Sequence, residues 1–516
     1  MKKNIKNTIF FSICFLLIFN DIPKMLQMNF LGGEILGHKL SIYPMIIGII
    51  YTIWWQHSNG IQILVPIKYL KKWSVAYFFI LFISLIIGIF VYPFYDVALS
   101  APAEQIEKLP KVISFFENMG ISINTTSAMG LWIIIRQMKS IFIDFFWGFG
   151  GAYLIFCWYR SKWEEGFFIL RKSMLCGFIL ICGYSAFEVA YLYGNEFAKN
   201  ILAHLNPYIH IVNTNHGWWP PLLWKGQLRM IFPEPSHVGN YIAVLLPVLC
   251  CYFMRSKGKN KLFFSMMLFL LSFFVFLTNA RTAYAMLCGV VGLLFFLLFW
   301  IKQNRQKVFK DFISICFCIF IGFFSYLGFT NIIQDHSKIN TSIESAIDNN
   351  LLSLASENRR SNGARYALLK SGIRIAGEHP FLGVGKGLAS EYIVAHFTEE
   401  EAKNHEVRSW IKYQDEKGPF ASGYSLQGNM NEYVTRLVQT GILGLAIWLL
   451  PFLFIIIKLF SLYKREIEDK QLQILMILLS LIATMVAGCN GTINVFYSVW
   501  ILLGLGAAAV FNKTKN

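Results

Sequence analysis

Five arginines of this sequence lie in polar segments that border long apolar runs, where a positive charge is costly to bury without an anionic partner. Three of them, Arg359, Arg360 and Arg365, belong to the stretch ENRRSNGARYALLKSGIRIAGEHPFLGVGKG at residues 357–387. A helix wound at about 100° per residue through residues 363–378 puts Arg365 in the middle of an apolar face. Because a guanidinium stays protonated, this position predicts either an acidic protein partner or an anionic ligand such as phosphate.

The same helical winding sorts the remaining residues of this stretch into two faces. The predicted apolar face consists of Leu368, Leu369, Gly372, Ile373, Ile375 and Ala376. Lys370 and Arg374 fall on the opposite face, so they are interpreted as ordinary surface charges. Arg365 is therefore the cation of this helix that requires an explanation.

A second polar group stands at the entrance to an apolar run, in QLRMIFPEPSHVGNY at residues 227–241. It brings Arg229, Glu234 and His237 together, while Pro235 suits the first turn of a helix and Ser236 suits its N-cap. Two interpretations of Glu234 stay open: the carboxylate complements the helix dipole, or it takes part in acid and base chemistry.

Two further motifs lie beside predicted membrane helices. TNARTAY at 278–284 places Arg281 in a very short turn on the side where arginine is disfavoured, which favours a functional role. HPFLGVGKG at 379–387 begins with His379 and continues with a string of glycines. The string lacks the strand-loop-helix setting of a phosphate-binding loop, so it predicts a tight turn against the membrane region.

The composition is that of an integral membrane protein, with 56% hydrophobic residues, 15% charged residues and a mean hydropathy of +0.51. We predict about twelve spans, at residues 7–20, 41–56, 75–95, 139–158, 173–193, 238–254, 262–279, 284–301, 311–329, 437–459, 471–488 and 492–511. Lysine and arginine clusters follow every second span and place both termini in the cytoplasm. Since these clusters explain the net charge of +17, no nucleic-acid partner is expected.

The spans predict an all-α, polytopic membrane helix bundle with three parts. Residues 1–329 hold the first nine spans, residues 330–436 form a large outer helical loop domain, and residues 437–516 hold the last three spans. The sequence has no Asp-x-Asp, His-Glu-x-x-His or Gly-x-Ser-x-Gly motif, so a metal-dependent sugar-nucleotide transferase and a zinc hydrolase have no support. What remains is an outward-facing cationic pocket suited to a lipid-linked phosphate or diphosphate.

Four segments in this order resemble the Wzy-type polysaccharide polymerases of the larger O-antigen ligase and polymerase superfamily. They are FPEPSHVGNY (232–241), LTNARTAY (277–284), ARYALLKSGIRIAGEHPFLGVGKG (364–387) and NMNEYVTRLVQTGILGL (429–445). The resemblance covers most of residues 220–510, whereas residues 1–200 match only in hydropathy. It implies a GT-C-like membrane glycosyltransferase.

The resemblance implies work at the outer face of the bacterial cytoplasmic (inner) membrane on glycans linked to undecaprenyl diphosphate. A growing glycan moves onto a hydroxyl of the next lipid-linked repeat unit, in O-antigen, capsule or exopolysaccharide biosynthesis. Because arginines hold the diphosphate without a metal or cofactor, Arg229, Arg281 and Arg365 are the first diphosphate-binding candidates, with Arg359 and Arg360 beside them. The lipid bilayer, a chain-length regulator and a flippase are the other expected partners.

Ligases of this superfamily characteristically carry a His followed by Asn, Ser or Gln, nine residues and Gly-x-x-Gly. Here Asn431, Gly441 and Gly444 keep that spacing, but Met430 stands where ligases have the His. This departure favours a polymerase over a ligase. It leaves Asn431 as the candidate on the acceptor side and requires another base.

Three residues are candidates for that base. Glu234 is the first choice and His237 or His379 the second, because each can reach an acceptor hydroxyl at the mouth of the pocket. A mechanism without a strong base stays open. The alternatives to a polymerase are a ligase with an altered acceptor mechanism and a lipid-linked oligosaccharide flippase or transporter, although a transporter should carry charges at mid-membrane depth in several spans.

Overall fold

The structure is a computed structural model that describes residues 3–28, 37–60, 62–101, 108–210, 227–301, 304–334, 360–420, 426 and 428–512. Every long regular element in these ranges is a helix. The helices before residue 335 are α1 Lys3–Phe15, α2 Ile42–Asn59, α3 Lys68–Phe90, α4 Tyr95–Ser100, α5 Leu109–Glu117, α6 Thr125–Phe145, α7 Gly151–Tyr159, α8 Trp163–Leu192, α9 Glu196–Leu205, α10 His237–Arg255, α11 Gly258–Leu277, α12 Arg281–Leu298 and α13 Arg305–Gln334. Those that follow are α14 Arg360–Glu378, α15 Ala389–Ala395, α16 Glu399–Ala402, α17 His405–Lys417, α18 Glu432–Arg465, α19 Glu468–Ala487 and α20 Ser498–Val510.

Nine helical segments of the described chain are long and apolar enough to cross a membrane. They are α3, the continuous stretch Thr125–Tyr159, α8, α10, α11, α12, α13, α18 and α19 with its last turn. The all-α polytopic fold is therefore confirmed, and the protein is a multi-pass membrane protein.

These nine segments of the described residues are fewer than the predicted twelve spans, although each predicted span overlaps a helix. The helices α1 and α20 have only 13 residues each, about 20 Å of rise against the roughly 30 Å of a hydrocarbon core. The third predicted span that is not among the nine is α2, because its second half, TIWWQHSN, mixes polar and aromatic residues. Three of the predicted spans therefore correspond to helices that are shorter or more polar than the other nine.

Two helices form the centre of the bundle, α10 and the segment Asp469–Asn490, each with 83% of its apolar window buried inside the protein. They pack against each other, and α12 lies against both of them. Since α10 is buried on almost every side, its first residue is held in a fixed position at one end of the bundle. That first residue is His237.

A second hydrophobic core joins α14 and α15 to the ends of the membrane helices. It contains Ile89 of α3, Met129 of α6, Ile375 of α14, Ile393 of α15 and Val438 of α18. Residues 360–420 therefore pack directly on the bundle. The predicted domain of residues 330–436 stays a prediction, because residues 335–359 lie outside the described part of the chain.

The helix α18 is broken at Gly441, whose φ of 61° and ψ of −171° lie outside the helical region. Carbonyls freed by the break accept from the turn that follows α14: Val384 N donates to Val438 O at 2.9 Å, and Gly385 N donates to Gln439 O at 3.0 Å. A Cβ on Gly441 would lie 2.2 Å from the backbone of Phe381. The expectation of a tight glycine turn against the membrane region is therefore confirmed.

Candidate functional site

The predicted cationic residues converge where several helices begin at one end of the bundle. We call this end the mouth: residues 234–237, 278–282, 362–365, 429–432 and 488–497. Thr282 Oγ1 donates to Ser236 O at 3.3 Å, which joins the first turns of α12 and α10. The rings of His237 and Phe496 lie 6.2 Å apart, which joins α10 to the segment before α20.

Arg281 and Arg365 complete the mouth, the first from α12 and the second from α14. Arg281 Nη1 donates to Asn362 Oδ1 at 2.7 Å, and Arg365 Nη1 donates to Asn490 Oδ1 at 2.6 Å. Residues 362 and 365 are one turn apart on the same helix, with Cβ atoms roughly 5–6 Å from each other. The structure therefore brings these two arginines, which are 84 residues apart in the sequence, to neighbouring positions.

The mouth is electrostatically suited to an anion. Helices α10, α12, α14 and α18 all begin there, and the first turn of a helix presents unpaired backbone N–H groups and the positive end of a dipole. In the described part of the chain, Arg365 is hydrogen-bonded to a neutral amide and not to a carboxylate. Of the two partners predicted for Arg365, an anionic ligand therefore has the better support.

The buried face of α14 shares Leu368, Gly372, Ile375 and Ala376 with the predicted face, but its centre is shifted around the helix. Ala364 and Ser371 are fully buried, whereas Ile373 is 55% exposed, so Arg365 lies half-buried at the edge of the face and not at its middle. Arg374, interpreted from the sequence as a surface charge, makes two hydrogen bonds to Glu401, at 3.0 and 2.5 Å. The pairing raises the pKa of Arg374 and, against the opposing effect of burial, lowers the pKa of Glu401.

Arg229 has a different environment, although it lies near the mouth. Its side chain is buried, and Leu228 N donates to Leu277 O at 2.9 Å beside the turn that carries Arg281. Glu188 of α8, also fully buried, accepts from Arg229 N at 3.3 Å and from Met230 N at 2.8 Å. The guanidinium interacts electrostatically with Glu188. Arg229 thus interacts with an acidic residue of the protein, whereas Arg365 is hydrogen-bonded to an amide among the described residues.

Glu234 and His237 sit together at the first turn of α10, both half-buried. Glu234 Oε2 accepts from Ser236 Oγ at 2.9 Å. Asn20, at the end of the first apolar run, places its Nδ2 3.5 Å from His237 Nδ1. The structure therefore brings an acid, an imidazole and an amide to the edge of the mouth.

Lys39 supports this cluster from behind. Its Nζ donates to Asn20 Oδ1 at 3.0 Å, and both side chains are buried. Burial lowers the pKa of Lys39 to about 8, against the opposing effect of Asp21. The pKa of Asp21 is lowered, since its hydrogen bond with His38 and the charge of Lys39 outweigh the effect of burial. At neutral pH Lys39 is therefore a cation and a hydrogen-bond donor.

His379 is not brought to the mouth. It follows the last residue of α14, and the 14 residues from Arg365 correspond to about 21 Å of helix rise. Its ring packs edge-on against Tyr392 at 5.5 Å, beside the second core. Arg360 begins α14, but nothing is described of its side chain, and Arg359 lies outside the described residues.

The residues shared with the ligase motif have structural roles at α18. Asn431 is the N-cap, with Oδ1 accepting from Tyr433 N and Val434 N at 3.0 and 3.1 Å, and its Nδ2 donates to Cys489 O at 3.0 Å. Gly441 permits the break in the helix. Met430 is 45% exposed next to the cap. The mouth thus includes the Asn of the motif, with Met430 at the position of its His.

Several contributors to the site were missed by the sequence analysis. They are Asn20 and Lys39 beside His237, Glu188 beside Arg229, and Asn490 beside Arg365. Each is a single polar residue at the end of an apolar run, and this is the only hint that the sequence offers. In the described residues, no three His, Cys, Asp or Glu side chains converge in a way that could hold a metal ion.

Comparison with known proteins gives a match over part of the chain. Residues 266–449 match the family model described as O-Antigen ligase. The matched segment includes Arg281, Arg365 and Asn431, and it begins after Glu234 and His237. No curated protein matches the chain. Over the matched segment the chain is similar to O-antigen ligases, which supports a multi-pass membrane enzyme of the O-antigen ligase and polymerase superfamily that acts on lipid-linked glycans.

Proposed function

We propose that this protein is a polysaccharide polymerase that moves a glycan from undecaprenyl diphosphate onto the next lipid-linked repeat unit. The observation that carries the proposal is the closeness of two arginines at a mouth made of helix N-termini. Arg281 binds Asn362, which lies one turn of α14 from Arg365. Two guanidinium groups and several helix dipoles suit a diphosphate that must stay close to the membrane.

In the proposed reaction, the acceptor hydroxyl oxygen attacks the anomeric carbon of the donor glycan. The bond from that carbon to the diphosphate oxygen breaks, and its electron pair leaves with undecaprenyl diphosphate. Arg281 and Arg365 stabilise the charge that grows on this leaving group, where preorganised donors are most effective. Glu234 accepts the hydroxyl proton as the bond to carbon forms.

Arg229 has a supporting role in this proposal. Glu188 accepts from the backbone N of Arg229 and interacts electrostatically with its guanidinium, so Arg229 holds the segment before α10 and does not have to bind the diphosphate. His379 has no role at the mouth, because α14 separates it from Arg365.

A ligase is the second candidate, and the description of the matching family favours it. Against it stands Met430, which offers no proton acceptor at the position where ligases carry the His. Asn431 and Gly441 do not discriminate, because their roles at α18 are to cap and to break a helix. The polymerase is therefore preferred.

The proposal places the mouth at the outer face of the bacterial cytoplasmic membrane. The opposite end of the bundle carries ion pairs between helix ends: Arg255 Nη2 lies 2.8 Å from Asp469 Oδ2, and Lys470 Nζ lies 3.2 Å from Glu164 Oε1. This end also carries the cationic connections that the positive-inside rule assigns to the cytoplasm.

The test is deletion of the gene in its host, followed by restoration with wild type, R365A or E234A and separation of the surface glycan by size. The proposal expects long chains from wild type, and single repeat units from the deletion and from both variants at equal protein levels. K370A is the matched control, since it removes an exposed cation from the same helix and should restore long chains.

Two outcomes would replace the proposal by an alternative. Polymer that forms in the deletion strain but stays on its lipid carrier would identify a ligase. A complete absence of repeat units at the outer face would identify a flippase. Long chains from R365A would remove Arg365 from the diphosphate site.

A further inference from the structure

The segment after α1 reaches the mouth through a short backbone pairing. Leu40 N donates to Phe19 O at 3.4 Å, and Ile22 N donates to His38 O at 3.1 Å. This pairing holds Asn20 and Lys39 side by side, with only 3% and 5% of their surface exposed. A buried ammonium group requires hydrogen-bond partners, and the Asn20 carbonyl oxygen is one of them.

Lys39 fixes the orientation of the Asn20 amide. An ammonium group has three donors and no acceptor, so the atom of Asn20 that lies 3.0 Å from Nζ must be the oxygen. The Asn20 amide nitrogen then faces His237 Nδ1 at 3.5 Å. Two donors cannot face each other favourably, so Nδ1 of His237 must be the acceptor.

Nε2 of His237 is thereby the ring nitrogen that carries the proton. No described residue hydrogen-bonds Nε2, and Nε2 is not among the buried polar atoms without a partner. The charged groups around the ring are Glu234, Asp21 and Lys39. A half-buried imidazole at the mouth, with one nitrogen engaged from behind, offers the other nitrogen to a ligand.

We infer that Lys39 and Asn20 are positioning residues that hold His237 as the neutral Nε2–H tautomer, so that His237 donates a hydrogen bond to the substrate and does not act as the base. The inference rests on the proposed function and deepens it. The groups that His237 can meet at the mouth are the oxygens of a diphosphate or of a sugar. Glu234 is then left as the proton acceptor of the cluster.

The test uses variants of similar shape and opposite hydrogen-bonding character, in membranes of the deletion host supplied with lipid-linked repeat units. N20D puts an oxygen opposite Nδ1 and so draws the proton to Nδ1, which turns Nε2 into an acceptor. We expect a rate of chain extension at least about 10²-fold below wild type, the scale of losing one preorganised hydrogen-bond donor. Thermal stability should stay at or above that of wild type, because the new carboxylate pairs with Lys39.

H237Q tests the same inference without altering the segment after α1. A glutamine amide N–H can occupy the place of Nε2–H, but an amide is not a base. We expect H237Q to extend chains within about tenfold of wild type and H237A to lose about 10²-fold or more. N200D is the control for an added negative charge, since Asn200 lies on the exposed side of α9. It should behave as wild type.

The outcomes separate this inference from the proposed function. Two results with active wild-type membranes would overturn the inference and identify His237 as a base. In the first, N20D extends chains at or above the wild-type rate. In the second, H237Q is as inactive as H237A. If wild-type membranes extend no chains, the proposed function fails first. The inference is supported if N20D extends chains slowly, H237Q extends them within about tenfold of wild type, and the thermal stability of N20D is at or above that of wild type.

Discussion

The hydrogen bond between Arg365 and Asn490 allows the function of the mouth to be tested with little effect on the fold. Asn490 ends a short helical turn, Gly488–Asn490, and its side chain is exposed. N490A therefore creates no buried cavity. It removes one charge-assisted bond, of 2.6 Å, that orients the guanidinium. In partly solvated surroundings such a bond contributes about 1 kcal/mol, so N490A should slow chain extension about fivefold.

R365A removes the guanidinium itself. The loss of one preorganised donor to a developing negative charge reduces a rate by about 10²–10³, which corresponds to roughly 2.7–4 kcal/mol. If Asn490 acts only by orienting Arg365, the double variant R365A/N490A should extend chains as slowly as R365A alone. The coupling energy of the cycle is then about 1 kcal/mol, equal to the effect of N490A.

The assay is the initial rate of chain extension in membranes that contain equal amounts of each variant, with products separated by the number of repeat units. K370A again serves as the control for loss of a cation from α14. The reasoning is refuted if the two single effects multiply in the double variant, because Asn490 would then act independently of Arg365. A wild-type rate in R365A would refute the diphosphate site itself.

Three further predictions concern stability, measured by thermal unfolding in detergent. G441A should lower the melting temperature clearly, because its φ of 61° and the backbone of Phe381 at 2.2 Å leave no room for a Cβ, and such backbone strain amounts to about 1–3 kcal/mol before any clash. K39M should lose stability relative to wild type as the pH rises above about 8. E188Q should destabilise the protein, since it removes the acidic group that interacts with the buried Arg229.

The sign of the Lys39 effect follows from linkage. Burial lowers the pKa of Lys39 from 10.5 to about 8. Between these values the unfolded chain binds more protons than the folded chain, so the wild-type free energy of unfolding rises with pH in that window. K39M lacks this rise, so its stability relative to wild type should decrease between pH 8 and about pH 10. If the difference in free energy of unfolding between K39M and wild type does not change with pH, the pKa of Lys39 is not lowered by burial.

Controls for the other two predictions are available in the same chain. Gly289 in α12 has open space where a Cβ would lie, so G289A should leave the melting temperature unchanged or slightly raised. An unchanged melting temperature of G441A would contradict the break of α18 at Gly441. For Glu188, the pair E188L/R229M should recover stability that E188Q loses, and failure to recover would mean that shape rather than charge matters there.

The all-helical membrane fold is determined by local composition. A run of about 20 apolar residues must form a helix in a bilayer because every backbone N–H and C=O needs a partner within the segment. The same local rule located Arg281 at the start of one helix, and it identified Arg365 as the cation that needed an explanation. The glycines at 383 and 385 also predicted their turn, because backbone conformation depends on the residue itself.

Which charges are paired was decided only by the tertiary structure. Glu188 meets Arg229 from 41 residues away, and Asn20 reaches His237 across 217. The face on which Ile373 and Arg374 lie was misjudged because the helical period gives the relative angles of side chains and not the direction of the neighbouring helix. A hydrophobic pattern describes one or two turns of a single helix. The contacts between side chains at the mouth depend on how separate helices pack against each other. The sequence therefore determined which residues border the membrane, and packing determined which of them meet.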